Sequence, residues 1–312
     1  MLESMAVASA NTPDAMGHPR SRVARAGRRA WRAALFVASV VVILRLTGCM
    51  ESLFYHPTVA PTPVPAGLAG AELVEFASRD GARLCGWFIP AQPSIGGTAK
   101  PATILHVHGN AGNMNDHAWF TEYLPAAGFN IFIFDFRGYG QSEGRAWTRN
   151  ALLDDTHAAL DYLVTRSDVD RGHIGMYGQS LGGSIGLNVM AERGEIRAAV
   201  IESAFASWRE EAASAVGGEP PAWWARVLAW LLISDRARPD EAIARCAPRP
   251  ILIMHGDSDG TVPIEHGRRL RAAGGANVEL VEVSGGDHNS LRETNPEIEQ
   301  QVVWFFRSHL GE

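Results

Sequence analysis

Short apolar segments alternate with longer amphipathic ones through most of the chain. The apolar segments lie at 102–107, 129–134, 173–177, 197–201, 250–254 and 278–283. Uniformly apolar runs of this length predict strands that are buried on both faces of a parallel sheet. Segments with helical periodicity lie at 116–127, 148–166, 181–193, 264–273 and 297–310. The alternation predicts an α/β fold, with a mostly parallel, doubly wound sheet and helices on both faces.

An antiparallel pair of strands is predicted to open this sheet. Segments 71–78 and 82–89 flank Asp80-Gly81, a dipeptide suited to a tight hairpin turn. The folded domain is therefore expected to span residues 71–312.

One interval breaks the alternation. Residues 204–249 separate two predicted strands, and a plain crossover would need far fewer residues, so this segment predicts a helical cap insertion. A short helix after Pro220-Pro221 carries much apolar bulk: Trp223, Trp224, Val227, Leu228, Trp230 and Leu231. Two interpretations stay open, a lid that lines an acyl pocket and a helix packed into the core against the sheet.

The N-terminal segment, residues 1–48, has the polarity of an export signal or a membrane anchor. Residues 1–32 are polar and Arg-rich, and residues 33–44 are predominantly apolar. Twelve residues extend roughly 18 Å as a helix, which is short of the ~30 Å hydrocarbon core. The pattern therefore favours a signal-peptide hydrophobic region over a spanning helix.

Residues 46–49, Leu-Thr-Gly-Cys, resemble the bacterial lipobox. The resemblance implies cleavage before Cys49 and a lipid on its thiol; the alternative is an uncleaved signal anchor. Both place the catalytic domain outside the cytoplasm, because the Arg cluster precedes the apolar stretch. We expect a membrane-tethered protein of the bacterial envelope, with residues 49–70 as a Pro-rich, semi-rigid linker.

Charge is distributed unevenly along the chain. The formal net charge is −6, but residues 1–48 carry +5, which leaves −11 on the remainder. Binding of nucleic acid requires a clustered basic face, and an acidic body repels phosphate. Nucleic-acid function is therefore excluded from the expected classes.

A candidate nucleophile stands between a predicted strand and a predicted helix. Residues 178–182, Gly-Gln-Ser-Leu-Gly, have the Gly-x-Ser-x-Gly form, in which a sharp turn lifts the serine hydroxyl above the sheet. The pattern alone is weak evidence, and its position at a strand-to-helix junction strengthens it. Ser180 is the predicted nucleophile.

A serine hydroxyl needs an imidazole to accept its proton and a carboxylate to orient that imidazole. Among the 11 histidines, His288 follows the last predicted strand on a Gly-rich loop, at the sheet edge where such a base is required. His108 and His255 are expected to bond backbone, and His266 to face solvent on a helix. Asp259 follows the strand at 250–254 and is the predicted acid, with Asp257 as the alternative.

Acyl transfer also requires donors for the oxyanion that forms on the carbonyl. The N–H of Leu181, next to the nucleophile, is the first predicted donor. Residues 108–113, His-Gly-Asn-Ala-Gly-Asn, follow a strand and are predicted to supply the second through the N–H of Asn110. Asp135 and Arg137, in a further Gly-rich loop, are expected to brace the oxyanion loop and the serine turn.

With these motifs in place, residues 71–310 resemble the α/β-hydrolase superfamily, and in particular its Bem46-like branch with ABHD13-like and ABHD17-like hydrolases. The matching motifs are the His-Gly-Asn loop, the Asp-x-Arg-Gly-x-Gly-x-Ser loop, the Gly-x-Ser-x-Gly-Gly turn and the His-Gly-x-x-Asp-x-x-Val-Pro acid motif. The base motif is matched only loosely, by residues 286–289. The resemblance carries the catalytic roles onto Ser180, Asp259 and His288, and it implies membrane tethering at the N-terminus.

The expected function is a serine hydrolase that cleaves carboxylic esters or thioesters, with small or lipid-derived acyl substrates, through an acyl-enzyme. A serine peptidase of aminopeptidase type is the alternative, and a non-catalytic surface scaffold is a third hypothesis. No metal or organic cofactor is implied.

Overall fold

Eight strands form a single sheet in the order β1-β2-β4-β3-β5-β6-β7-β8. The computed structural model describes residues 19–48, 50–64, 68, 70–92, 100–218 and 220–311. The strands are β1 (Glu72–Ala77), β2 (Arg83–Ile89), β3 (Thr103–Val107), β4 (Asn130–Phe134), β5 (Ile174–Gln179), β6 (Ile196–Glu202), β7 (Ile251–Gly256) and β8 (Val278–Val283). Strand β2 pairs antiparallel with β1 and β4, and all other pairs are parallel. The mostly parallel α/β fold and its opening hairpin are confirmed.

Ten α-helices are present in the described part of the chain. They are α1 (Pro19–Thr47), α2 (Met114–His117), α3 (Arg149–Thr165), α4 (Leu181–Glu192), α5 (Trp208–Gly217), α6 (Trp223–Leu232), α7 (Pro239–Arg245), α8 (Ile264–Gly274), α9 (Leu291–Thr294) and α10 (Ile298–Leu310). Alternate strand residues contact opposite layers: Leu105 belongs to the core under α3 and α4, and Ile104 to the core under α10. Both faces of the sheet are therefore covered.

The prediction of a helix over 116–127 is wrong, because the observed helix is much shorter. The structure forms only α2 and a short 3-10 turn, Ala118–Phe120, before irregular backbone. Asn113 and Asp116 cap the start of α2 reciprocally. Pro125 lacks an N–H, and Gly128 adopts φ +96°, so the sequence cannot continue as a regular helix.

The linker prediction required residues 50–64 to act as a spacer, but these residues pack against the domain. Tyr55 and Thr62 are buried against the domain, and the Trp87 indole donates to the carbonyl of Thr62 at 3.0 Å. Glu51 pairs with buried Arg149 at 3.1 Å. This segment extends the domain surface, because its polar and aromatic side chains find partners there.

Helix α1 ends next to the catalytic domain. The Trp147 indole donates to the carbonyl of Thr47 at 2.9 Å, and α1 packs against α6. Within the described residues, none of the helices has both the length and the apolar character needed to cross a membrane. Cys49, on which the lipobox prediction depends, and residues 1–18 lie outside the described residues.

Helices α5, α6 and α7 form the predicted insertion between β6 and β7. Neither interpretation of its Trp-rich helix is correct. Five large apolar side chains of α6 are exposed: Trp223, Trp224, Val227, Leu228 and Trp230. Leu231 is partly buried, and the small Ala225 and Ala229 face the protein. The pocket beside Ser180 is lined instead by Phe205 and Trp208, which lie at the start of the insertion.

Candidate active site

Ser180 occupies a strained turn between β5 and α4. Its backbone has φ 51° and ψ −118°, a left-handed conformation that a residue with a side chain rarely adopts. Close packing leaves no room for side chains beside it. A Cβ on Gly182 would lie 2.0 Å from the carbonyl oxygen of Val107, and one on Gly178 2.7 Å from the Cα of Gly183. The glycines of the motif thus allow the end of β3 and the start of α4 to meet at the serine.

Ser180, His288 and Asp259 form a continuous hydrogen-bonded chain. The distance from Ser180 Oγ to His288 Nε2 is 3.1 Å, and that from His288 Nδ1 to Asp259 Oδ2 is 2.8 Å. The three residues follow β5, β8 and β7, whose carboxyl ends meet at one edge of the sheet. The structure therefore brings together the three residues that the sequence selected, in the order of contact required for proton transfer.

Asp259 is held as a carboxylate. Burial raises its pKa, but hydrogen bonds with His255 and His288 outweigh burial and keep the pKa of Asp259 well below its usual range. Its second oxygen accepts from the N–H groups of Thr261 and Val262 at 2.9 and 2.8 Å. A fixed negative charge at this position can orient the imidazole and stabilise it when it is protonated.

The alternative acid, Asp257, points elsewhere. It is exposed and accepts from the N–H of Gly285 at 2.7 Å and from the Ser258 hydroxyl at 3.1 Å. Asp257 supports the position of the loop after β8, because it bonds the N–H of Gly285 and the side chain of Ser284 in that loop. It does not contact the ring of His288.

The other histidines have structural partners. His255 bonds the carbonyl of Val262 and His108 that of Gly109, both at 2.7 Å, as predicted. The expectation for His266 is wrong, since it is buried, with Nδ1 accepting from the N–H of Ala206 at 3.1 Å. Helix α8 turns this face toward the insertion, which periodicity alone could not locate.

The two predicted oxyanion donors line one pocket with Ser180. Leu181 is the first residue of α4, and the first N–H groups of a helix have no partner within it. Asn110 lies across the pocket. Its side-chain oxygen accepts from the N–H of His56 at 3.1 Å and from the Tyr139 hydroxyl at 2.9 Å, which fixes the loop.

Asp135 braces this loop, as expected, because its carboxylate accepts from the N–H of Met114 at 2.6 Å. Burial raises the pKa of Asp135 to about 7. Arg137 does not reach the serine turn. It binds Asp155 of α3 at 2.7 Å and Asp80 of the β1–β2 hairpin at 2.6 Å, so it joins those two elements instead.

The pocket beside the serine has a volume of about 310 Å³ and a largely apolar wall. Its apolar lining residues are Phe54, Tyr55, Leu181, Phe205, Trp208 and Ile233. Sequence reasoning missed the first two, because Phe54 and Tyr55 lie in the segment expected to be a linker. The aromatic character of that segment was the available signal.

A second buried group missed by the sequence lies behind the serine. Glu202, the last residue of β6, accepts from the Tyr177 hydroxyl, and its backbone oxygen accepts from the N–H of Ser180 at 2.8 Å. Burial raises the pKa of Glu202 to about 7. Over the described ranges, no cluster of three or more His, Cys, Asp or Glu side chains could hold a metal ion.

Comparison with known proteins places this geometry in a family. Residues 98–244 match the family model described as serine aminopeptidase, S33. The uncharacterised protein YfhR of Escherichia coli K12 is 35% identical over 284 residues, covering 89% of this chain and 94% of YfhR. Protein bem46 of Schizosaccharomyces pombe is 28% identical over 207 residues, covering 65% of each chain.

The fold is shared with solved hydrolases. The esterase Pf2001 of Pyrococcus furiosus superposes with a TM-score of 0.66 at 20% identity, covering 82% of this chain and 100% of the esterase. A likeness at this identity shows the fold alone, and the more similar relatives show the branch. The chain belongs to the α/β-hydrolase superfamily, in its Bem46-like branch.

Proposed function

We propose that this protein is an acyl hydrolase that uses Ser180 as nucleophile, His288 as general base and acid, and Asp259 as the group that orients His288. The observation that carries the proposal is the hydrogen-bonded chain from Ser180 Oγ through the imidazole to Asp259 Oδ2. A serine on a strained turn, joined through an imidazole to a buried carboxylate by two hydrogen bonds, is the arrangement that activates a hydroxyl at neutral pH.

The reaction follows from these positions. Ser180 Oγ attacks the substrate carbonyl while His288 Nε2 accepts the hydroxyl proton, and the N–H groups of Leu181 and Asn110 stabilise the oxyanion. His288 then donates that proton to the leaving group, whose bond to the carbonyl carbon breaks. Water attacks the acyl-enzyme in the same manner, with His288 accepting its proton and returning it to Ser180.

The pocket favours an acyl chain over a charged substrate. Phe54, Phe205, Trp208 and Ile233 present apolar surface beside the serine. Two of the charged lining residues, Arg149 and Glu51, are paired with each other at 3.1 Å. We therefore propose carboxylic esters or thioesters as substrates.

A serine aminopeptidase is the second candidate, because the matching family model carries that description. An aminopeptidase must recognise a free substrate amine, for which a carboxylate near the serine is required. Glu211 lines the same pocket and is the residue that could serve. Faster release of aminoacyl p-nitroanilide products than of ester products would favour this function.

The deciding experiment labels the full chain and its Ser180→Ala variant with a fluorophosphonate probe. Both proteins are then assayed with p-nitrophenyl esters of increasing chain length. We expect labelling and turnover in the wild type and loss of both in the variant. A folded wild type that neither labels nor turns over any ester or anilide would favour a non-catalytic surface scaffold.

We also propose that the chain is tethered to a membrane through its N-terminus, with the catalytic domain outside the cytoplasm. The support is the Arg-rich, then apolar sequence of residues 20–44 and the lipobox-like residues 46–49. The test is expression in a bacterium with an alkyne fatty acid, comparing wild type with Cys49→Ser. Lipid incorporation lost in the variant supports lipidation, and unchanged mass with residues 1–48 retained supports an anchor. Degradation-resistant protein recovered only from the cytoplasm would refute both.

A further inference from the structure

Helix α6 exposes most of its large apolar side chains to solvent, whereas a helix of a water-soluble domain usually buries them. Trp223 is 77% exposed and Trp230 58% exposed, and Val227 and Leu228 are also exposed. We call this surface the α6 face; it consists of Trp223, Trp224, Val227, Leu228 and Trp230. A surface helix normally buries its apolar stripe, and a contiguous exposed patch of this kind marks an interaction site.

Close packing against α5 explains why α6 cannot rotate about its axis to bury its large apolar side chains. Ala225 and Ala229 are buried, and a Cβ on Gly217 of α5 would lie only 2.5 Å from the Cβ of Ala225. Helices α5 and α6 therefore meet through small side chains, and no tryptophan would fit between them. The exposure of the α6 face is built into the packing of the insertion.

The α6 face lies beside the N-terminal tether. Helix α1 packs against α6, and the Arg45 guanidinium reaches the carbonyl of Ile233, one residue beyond α6, at 3.5 Å. Helix α1 has its own exposed apolar residues: Trp31, Leu35, Phe36, Val37, Val40, Val42 and Ile43. In the uncleaved-anchor form, the exposed apolar surface of the cap is thus adjacent to that of the helix proposed to enter the membrane. Cleavage before Cys49 would remove α1 and leave the α6 face as the apolar contact.

The charge of this region suits an anionic lipid surface. Arg45 follows the apolar stretch of α1 and Arg226 lies on α6, and neither helix contains an acidic residue. Cationic side chains outnumber acidic ones along the groove between α1 and the insertion. Five arginines line it (Arg45, Arg149, Arg209, Arg236 and Arg238), against Glu51, Asp235 and Glu241. Tryptophan with flanking arginine is the composition of a helix that lies in the membrane interface.

We propose that the α6 face inserts into the headgroup region of an anionic bilayer, beside the tether, so that the cap lies on the membrane. Ile233 follows α6 directly and lines the pocket with Phe54 of residues 50–64. Acyl substrates therefore enter the pocket from the lipid phase. This entry step rests on the acyl-hydrolase function proposed above, whereas the membrane contact of α6 does not.

The test uses the full chain with a double variant, Trp223→Ser/Trp230→Ser. The matched control is Trp304→Ser, because Trp304 on α10 is 66% exposed and lies away from the insertion. Proteins are added to vesicles of phosphatidylcholine and phosphatidylglycerol that contain brominated phosphatidylcholine, which quenches tryptophan only at membrane depth. Turnover is measured on a long-chain p-nitrophenyl ester in the vesicles and on a short soluble ester.

We expect quenching in the wild type and in Trp304→Ser. In the double variant the quenching should fall to the share contributed by Trp224 and α1. Turnover of the vesicle ester should fall by about tenfold in the double variant, with the soluble ester unchanged. Equal quenching in all three proteins would overturn the proposal. Equal quenching together with a dimer that only the double variant dissociates would assign the α6 face to a second copy. An inactive wild type would refute the hydrolase function and leave the quenching result intact.

Discussion

Replacing Glu202 with glutamine should stabilise the protein at alkaline pH. Glu202 is 1% exposed at the end of β6. One of its oxygens accepts from the Tyr177 hydroxyl, and the other has no hydrogen-bond partner among the described residues. Burial raises its pKa to about 7 from an ordinary value of 4.5, although Tyr177 and Arg292 act in the opposite direction. The folded state therefore prefers the neutral acid.

The sign of the effect follows from proton linkage. Below pH 4.5 the carboxyl is protonated in both the folded and the unfolded chain, so Glu202 imposes no electrostatic cost. Between pH 4.5 and 7 the unfolded chain loses the proton while the folded one keeps it, and stability falls as the pH rises. At about 1.4 kcal/mol per unit of pKa, the ionised group costs about 3 kcal/mol above pH 7. Glutamine keeps the shape and the acceptor for Tyr177 and removes this cost.

The assay is urea unfolding of wild type and Glu202→Gln at pH 5 and pH 8, with Glu279→Gln as control. Glu279 is exposed on β8, so the control makes the same chemical change away from the core. The gain of Glu202→Gln over wild type should be larger at pH 8 by about 2 to 3 kcal/mol, or about 5 to 10 °C in Tm. An equal effect at the two pH values would show that Glu202 is ionised when buried, and would refute the reasoning.

Three further variants test the serine turn, the acid and the hairpin. Gly182→Ala should unfold or destabilise the protein by at least about 2 kcal/mol in thermal melts, because its Cβ would meet backbone, whereas Gly194→Ala, with open space around it, should not. Asp259→Asn should lower kcat on a p-nitrophenyl ester by about 10³- to 10⁴-fold with an unchanged circular dichroism spectrum. Asp257→Asn should keep a kcat close to that of the wild type. A large loss in Asp257→Asn with little loss in Asp259→Asn would assign the role of the acid to Asp257. Arg137→Ala should cost about 3 to 5 kcal/mol in urea unfolding, because it leaves a buried carboxylate of α3 without its partner; a smaller loss would mean that the carboxylate is protonated.

The sheet could be predicted from the sequence because its signals are local. A run such as Ile131–Phe134 is apolar at every position, and its short length and its β-branched and aromatic residues are typical of a strand buried on both faces. The positions of Ser180 and His288 could also be predicted from local signals, since each follows a strand and the carboxyl ends of parallel strands meet at one edge of the sheet. Contact between the two residues follows from topology once the strands are assigned.

The wall of the pocket could not be predicted, because it depends on packing between distant segments. Proline in the sequence after residue 56 indicates an extended chain, and an extended chain can be a spacer or can lie on a surface. The N–H of Thr58 donates to the carbonyl of Gly112 at 2.8 Å, and Tyr55 is buried. Such partners are visible only when the folded domain presents them. The same limit applies to Glu202, whose burial follows from its neighbours on β5 and β7.

The cap insertion shows why an amphipathic pattern does not decide which face is buried. The spacing of Trp223, Val227 and Trp230 defines one side of a helix, and Ala225 and Ala229 define the other. Apolar area would favour burying the first side, but the close approach of α5 admits only the second. The area left exposed must then be covered by something other than this domain, or it would drive association in water. Because α1, with its exposed apolar residues and Arg45, lies beside this area, an anionic bilayer accounts for both helices together, whereas an explanation confined to the folded domain accounts for neither.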